Sequence, residues 1–82
     1  MSELIQQYAE KLEDRSGANY EIFTYGEVRP DGNWEGWIEF RTASGKVLRT
    51  GRETTQPNRK ALAYWASGLE PLYFEGAFTR AK

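Results

Sequence analysis

Apolar and polar side chains alternate along the middle of the chain, with the period of two that is typical of half-buried β-strands. The alternation predicts three strands, over residues 20–28, 34–42 and 46–53. The connections at residues 30–32 (Pro-Asp-Gly) and 43–45 (Ala-Ser-Gly) have the composition of three-residue hairpin loops, with glycine where the backbone turns left-handed. The pattern therefore predicts an antiparallel three-stranded meander, in the order 1-2-3, with the second strand in the centre.

On both sides of this segment the apolar period changes to that of a helix. Four apolar residues in residues 3–15 recur at steps of one, three and four: Ile5, Tyr8, Ala9 and Leu12. Gly17 is placed to end this predicted helix. Two further helices are predicted over residues 56–67 and 71–80, each with a proline in its first turn. The expected fold class is α+β: a single small domain spanning residues 1–82, in the order α-β-β-β-α-α, with the helices packed on one face of the sheet.

The two loops also predict which residues lie opposite each other in the sheet. In the first hairpin Arg29 opposes Asn33, and the second hairpin follows the same rule. Even-numbered strand residues then share one face, which contains most of the large aliphatic residues and is predicted to be the core. Gly26 lies opposite Gly36 on that face, and this pair leaves a trough for a helical aromatic side chain such as Trp65.

The odd-numbered face carries three aromatic residues, Phe23, Tyr25 and Trp37, among charged side chains. One interpretation is an exposed aromatic platform for a ligand or a partner, since aromatic patches with charged surroundings are common at interfaces. The other is that Trp37 lies across Gly51 and shields its backbone, while the last helix or a second copy covers the rest. Both interpretations stay open on the sequence alone.

The residue inventory excludes several kinds of chemistry. The chain has no cysteine and no histidine, so it offers no thiolate, no zinc-finger ligands and no imidazole base. We predict no cofactor. The predicted register puts Glu27, Glu35 and Glu53 in a row at one end of the odd-numbered face, which makes them weak candidates for a Ca²⁺ or Mg²⁺ site or for a raised carboxyl pKa. The alternative is that these carboxylates pair with neighbouring arginines.

The charge balance bears on the partners that the protein can have. Eleven Lys and Arg oppose twelve Asp and Glu, with a pI of about 5.4, whereas nucleic-acid-binding domains are usually strongly basic. A nucleic-acid partner is therefore less favoured. No apolar run approaches the roughly 18 residues of a membrane span, and the first residues lack the basic and apolar regions of a signal peptide. We therefore expect a cytoplasmic protein with no membrane partner.

These observations favour a small non-catalytic binding or regulatory module that acts through a protein–protein or self-association surface. The second hypothesis is a binder of single-stranded nucleic acid or another anion, which would stack and neutralise its ligand. The third is a carboxylate-based enzyme. The predicted binding residues on or beside the odd-numbered face are Phe23, Tyr25, Trp37, Arg41, Arg49 and Arg52. Arg59 is predicted at the junction between the third strand and the second helix, where the free N–H groups of a helix N-terminus could help to bind an anion.

Overall fold

A computed structural model describes all 82 residues and shows one antiparallel sheet followed by two helices. The strands are β1 (Glu3–Glu13), β2 (Asn19–Val28), β3 (Trp34–Arg41), β4 (Val47–Arg49) and β5 (Thr54–Gln56), and the helices are α1 (Arg59–Ser67) and α2 (Pro71–Arg80). The strand order is β1-β2-β3-β4, and β5 also pairs with β3. The α+β class, the antiparallel sheet and the two final helices are confirmed.

The predicted first helix, over residues 3–15, is wrong, because this segment is the edge strand β1. β1 pairs antiparallel with β2, and its register shifts between Leu4 and Gln6 and again between Gln7 and Lys11. These bulges add residues to β1 without a counterpart in β2. The residues that point to the helices therefore recur at steps of three and four instead of two: Ile5, Tyr8 and Leu12. That spacing is the helical one, and it explains the error.

All three hairpins turn on the same kind of three-residue loop. Gly17, Gly32 and Gly45 have φ angles of 88°, 89° and 96°, in the left-handed region that glycine tolerates best. In the β1–β2 loop the Asp14 carbonyl accepts from the Gly17 N–H at 3.0 Å, and the Asp14 N–H donates to the Ala18 carbonyl at 3.0 Å. The other two loops repeat this pair of bonds. Residues 15–17 (Arg-Ser-Gly) thus form a third hairpin loop rather than a helix end.

The predicted register of the central hairpin is confirmed from Glu21 opposite Arg41 to Val28 opposite Trp34. The next hairpin also follows the prediction, with Arg41 opposite Val47. The predicted third strand, however, is interrupted at residues 50–53 and resumes as β5 in a register shifted by two residues.

Thr50 accounts for this interruption of the third strand. Its side chain is buried, and its hydroxyl accepts from the Ile38 N–H at 3.1 Å and donates to the Gly51 carbonyl at 2.8 Å. The strand then rejoins β3 with Gly36 opposite Thr54, where an unbroken register would have placed Arg52. The hydroxyl therefore takes over bonding that a continuous ladder would have supplied.

Helix α1 begins three residues later than predicted, because β5 occupies residues 54–56. Asn58 caps it by accepting from the Ala61 N–H at 2.8 Å. The trough at Gly26 and Gly36 is present, but Leu62 fills it instead of Trp65. Leu62 is fully buried, and one of its two methyl groups lies where a side chain on Gly26 would be, while the other lies where a side chain on Gly36 would be.

The core lies between the even-numbered face of the sheet and the two helices, and its fully buried members include Tyr20, Ile22, Ile38, Phe40 and Phe74. The Tyr8 hydroxyl ties β1 to this core. It donates to the Ala66 carbonyl at 2.8 Å and lies 2.7 Å from the Thr24 hydroxyl, so one group joins β1, β2 and α1. Burial raises the pKa of Tyr8, in spite of the hydrogen bond with Thr24. Neither α1 nor α2 has the length and apolar character that a helix needs to cross a membrane.

Candidate functional site

We call the sheet face that points away from the helices the outer face. On this face, arginine side chains lie over the aromatic rings. Trp37 is only 3% exposed and Phe23 only 8%. The Arg49 guanidinium lies 4.3 Å from the centre of the Trp37 ring, while that of Arg41 lies 4.7 Å from Phe23 and 5.1 Å from Tyr25. The outer face therefore presents guanidinium groups over covered rings, and Trp37 offers no open surface for stacking.

Trp37 does not lie across Gly51, the other interpretation of the sequence. Gly51 is outside the strands, and apart from its chain neighbours no residue, Trp37 included, has an atom within 4 Å of the position that a Cβ there would take. Trp37 instead donates from Nε1 to a Glu39 carboxylate oxygen at 3.1 Å. Arg41 donates to the other oxygen at 3.1 Å and also to the Tyr25 hydroxyl. Glu39 thus links the tryptophan and the arginine, and the network satisfies its own charges.

The structure brings together five of the seven predicted binding residues and separates the other two. Those on the outer face are Phe23, Tyr25, Trp37, Arg41 and Arg49. Arg52 is exposed in the segment between β4 and β5. Arg59 lies at the start of α1, where it forms an ion pair with Glu3 at 2.5 Å. The predicted arginine cluster is therefore divided between the two sides of the sheet.

The predicted row of three glutamates does not form. Glu27 and Glu35 face each other as predicted, but the shifted register after Thr50 removes Glu53 from the row. Glu35 pairs with Arg29 at 3.2 Å, and Glu27 pairs with the amino group of Met1 at 2.7 Å. No three acidic side chains of the chain are grouped so that they could hold a metal ion.

Glu53 instead anchors helix α2 to the sheet. Its carboxylate accepts from the Tyr73 hydroxyl at 2.5 Å and from Arg80 at 2.6 Å. Burial by itself would raise the pKa of Glu53, but the hydrogen bonds from Arg80 and Tyr73 outweigh burial and lower it. Burial, together with the bond to Glu53, raises the pKa of Tyr73. This partly exposed link is a structural ion pair, and its partners lie too far apart in the sequence for a local pattern to indicate it.

The two edges of the sheet differ in how far they are covered. At β4, the Arg49 N–H donates to the Lys82 carbonyl at 3.3 Å, and the Lys82 N–H returns a bond to the Arg49 carbonyl at 3.0 Å. At the opposite edge, no strand pairs with the outer side of β1. Of its 11 residues only Tyr8 is buried. β1 is therefore the open edge of the sheet.

A groove runs between the second half of β1 and helix α2, and we call it the β1–α2 groove. It encloses about 420 Å³, which is within the range of small ligand and side-chain pockets. Its floor is apolar and consists of Ile22, Phe74 and Phe78, with Leu12 and Pro71 beside them. Its rim is charged and consists of Glu10, Lys11, Glu13 and Glu75, all exposed. The helix predicted for residues 3–15 concealed this groove from sequence analysis.

The four charged residues of the rim are free of ion pairs within the chain. Ion pairs hold Glu3, Glu39 and Glu53 elsewhere in the molecule, but none involves a rim carboxylate or Lys11. The groove thus combines an apolar floor with charged side chains that have no ion-pair partner, and most of these side chains are negative. Such a combination is typical of a surface that receives a partner.

Comparison with known proteins finds no family model, no curated protein and no solved structure that matches the chain. The groove, the open edge and the outer face are thus the features from which a function can be argued.

Proposed function

We propose that this protein is a non-catalytic protein-binding module whose partner docks in the β1–α2 groove and along the open edge of β1. One observation carries the proposal: the unpaired strand edge and the apolar floor meet at Glu10–Glu13. An extended segment placed there gains main-chain hydrogen bonds from the edge and a pocket for a side chain from the groove. This combination is how sheet edges recognise peptides by strand addition.

The bulges of β1 define where such a segment fits. Pairing with β2 is regular from Lys11 opposite Glu21 to Glu13 opposite Asn19, which is the stretch beside the groove. Nearer the start of β1 the register shifts twice. Bulges twist an edge and discourage pairing along its length. The geometry therefore favours a short partner segment at the groove over a long strand along all of β1.

The charges of β1 favour a different chain as the partner over a second copy. β1 carries Glu3, Glu10 and Glu13 but only one basic residue, Lys11. Each copy therefore carries more negative than positive charge along this edge, and the repulsion between two such edges opposes their pairing. Self-association through this edge is accordingly the less favoured form of the proposal.

Two other functions were expected from the sequence, and neither gains an observation in its favour. The carboxylates that an enzyme would use are committed, since Glu53 is held by Arg80 and Glu35 by Arg29. Of the four arginines that an anion binder would use, Arg41 is paired with Glu39, Arg59 is paired with Glu3, and Arg49 lies over the Trp37 ring. The arrangement therefore supports protein binding best.

A peptide selection tests the proposal directly. The intact domain is used to select binders from a displayed library of random peptides, and the selected peptides are titrated while backbone amide chemical shifts are recorded. We expect the largest shifts at Glu10–Glu13 and along α2. Shifts confined to the outer face, or a selection that yields no binder, would contradict the proposal.

A pair of variants, one within helix α2 and one just before it, sharpens this experiment. Glu75→Trp puts a bulky side chain at the mouth of the groove and should weaken the selected peptides at least tenfold. Glu70→Trp is the matched control, because Glu70 is also exposed, precedes α2 and makes no capping hydrogen bond with its side chain. It should leave the affinity unchanged.

A further inference from the structure

We infer that the segment bound in the β1–α2 groove is an extended peptide with one large apolar side chain flanked by lysine or arginine. This inference rests on the proposed function and adds the chemistry of the partner. It follows from the shape of the floor, the alternation of side chains in a strand and the charge of the rim.

The floor of the groove calls for a single large apolar anchor. The apolar surface that stays open in the groove belongs to Leu12, Pro71 and Phe78, whereas Ile22 and Phe74 close its base and are each only 1% exposed. Successive side chains of an added strand point to opposite sides of the sheet, so one residue can enter the groove while the residues two positions away, roughly 7 Å along the strand, point to the same side and face the rim. Burial of a phenylalanine or leucine there should tighten binding roughly 10- to 150-fold.

The charge of the rim favours a partner with positively charged residues close to the apolar anchor. Three carboxylates, of Glu10, Glu13 and Glu75, surround the groove with the one ammonium group of Lys11. The chain as a whole is close to neutral, with a net charge of −1, so the rim is more acidic than the molecule around it. Because none of these carboxylates has an intramolecular ion pair, a cationic partner gains their attraction without breaking an existing contact.

The carboxylates also select against other partners. An acidic segment would bring like charges to the rim, and such juxtaposition is a common means of rejecting a wrong partner. A neutral apolar segment would fill the floor but leave the rim charges unused. The groove therefore distinguishes a basic from an acidic segment by charge, and an apolar from a polar anchor by its floor.

Four short synthetic peptides separate these contributions. The sequences are TKKFKKT, the neutral TSSFSST, the acidic TEEFEET and TKKSKKT, which keeps the charges but lacks the anchor. Their affinities are measured by isothermal titration calorimetry with the intact domain. We expect TKKFKKT to bind at least tenfold more tightly than each of the others. Its affinity should fall several-fold as salt is raised from about 0.05 M to 0.3 M, because salt screens exposed charges.

Variants of the rim assign the effect to named side chains. Glu13→Gln and Glu75→Gln should each weaken TKKFKKT about threefold or more and leave TSSFSST unchanged. Glu70→Gln removes an exposed carboxylate outside the groove and should change neither affinity. All three positions are exposed, so thermal unfolding of the variants should match that of the parent domain.

The outcomes distinguish this inference from the proposed function. Binding of TEEFEET or TSSFSST as tight as that of TKKFKKT would overturn the basic partner and leave groove binding standing. Equal binding of TKKSKKT would overturn the apolar anchor. Failure of all four peptides would overturn the inference, and the library selection would then decide the proposed function separately.

Discussion

The same substitution, glycine to alanine, should have opposite effects on stability at two positions of this chain. At Gly36 a new Cβ would lie 2.6 Å from a methyl carbon of Leu62 and 3.3 Å from a methyl carbon of Thr54. At Gly51 nothing lies within 4 Å of the new Cβ, and the φ angle is not positive. The first substitution overpacks the contact between the sheet and helix α1, whereas the second only restricts the unfolded chain.

The magnitudes follow from the packing. Ordinary contacts between carbon atoms are about 3.5–4.0 Å, so at Gly36 the neighbours must move by about 1 Å. Leu62 is fully buried and has little room to do so. Overpacking of this kind costs about 1–3 kcal/mol, which for a small domain is a fall of roughly 5–20 °C in Tm. Gly51→Ala should add about 0.4–1 kcal/mol of stability through the lower conformational entropy of the unfolded chain.

Chemical denaturation of both variants, followed by tryptophan fluorescence, measures these changes. A double-mutant cycle tests the assigned cause, because Leu62→Val shortens the side chain that collides. Leu62→Val alone should cost roughly 1 kcal/mol, and in that background Gly36→Ala should cost less by at least about 0.5 kcal/mol. An equal cost of Gly36→Ala in both backgrounds, or a destabilising Gly51→Ala, would refute the reasoning.

Three further predictions follow from other contacts. Tyr8→Phe removes the buried hydroxyl that joins β1, β2 and α1, and it should lower the free energy of unfolding by about 1–3 kcal/mol. Tyr64→Phe is the control, because Tyr64 is 82% exposed, and it should change the free energy of unfolding little. Equal effects of the two variants in urea denaturation would contradict this prediction. Because the fold lowers the pKa of Glu53 from its ordinary value of 4.5, this carboxylate stabilises the protein above that pH, and its contribution is lost as pH falls through the lowered value. Glu53→Gln should therefore be less stable near pH 7 but lose less stability on acidification, and parallel profiles of Tm against pH would argue against it. Short single-stranded oligonucleotides should leave tryptophan fluorescence unchanged even at low salt, where binding to phosphates is strongest, and a saturable change would revive the nucleic-acid hypothesis.

The aromatic rings of the outer face show where sequence analysis could place residues but not their surroundings. The register correctly put Tyr25 opposite Trp37 and Glu39 opposite Arg49. It could not show that Arg49 lies over Trp37 while Glu39 binds Arg41, because these choices depend on side-chain rotamers. The surface that one interpretation made an aromatic platform is a network of arginines and a carboxylate over covered rings.

The features that the sequence by itself determined are those that a few consecutive residues control. Turn-forming residues ending in glycine specify the hairpin loops, and the loops specify the pairing from Val28 opposite Trp34 to Arg41 opposite Val47. The facing glycines and the two final helices follow from the same local signals. These predictions succeeded because short-range backbone geometry decides them.

Only the tertiary structure decided the features that depend on contacts between distant segments. β1 is a strand because β2 pairs with it, and its bulges give it the apolar spacing of a helix. Glu53 turns toward Arg80 because the buried hydroxyl of Thr50 interrupts the neighbouring strand. The β1–α2 groove exists because a strand from one end of the chain lies beside a helix from the other. The apolar periodicity of neither segment can indicate that the two lie side by side, because this arrangement arises from packing around the shared core.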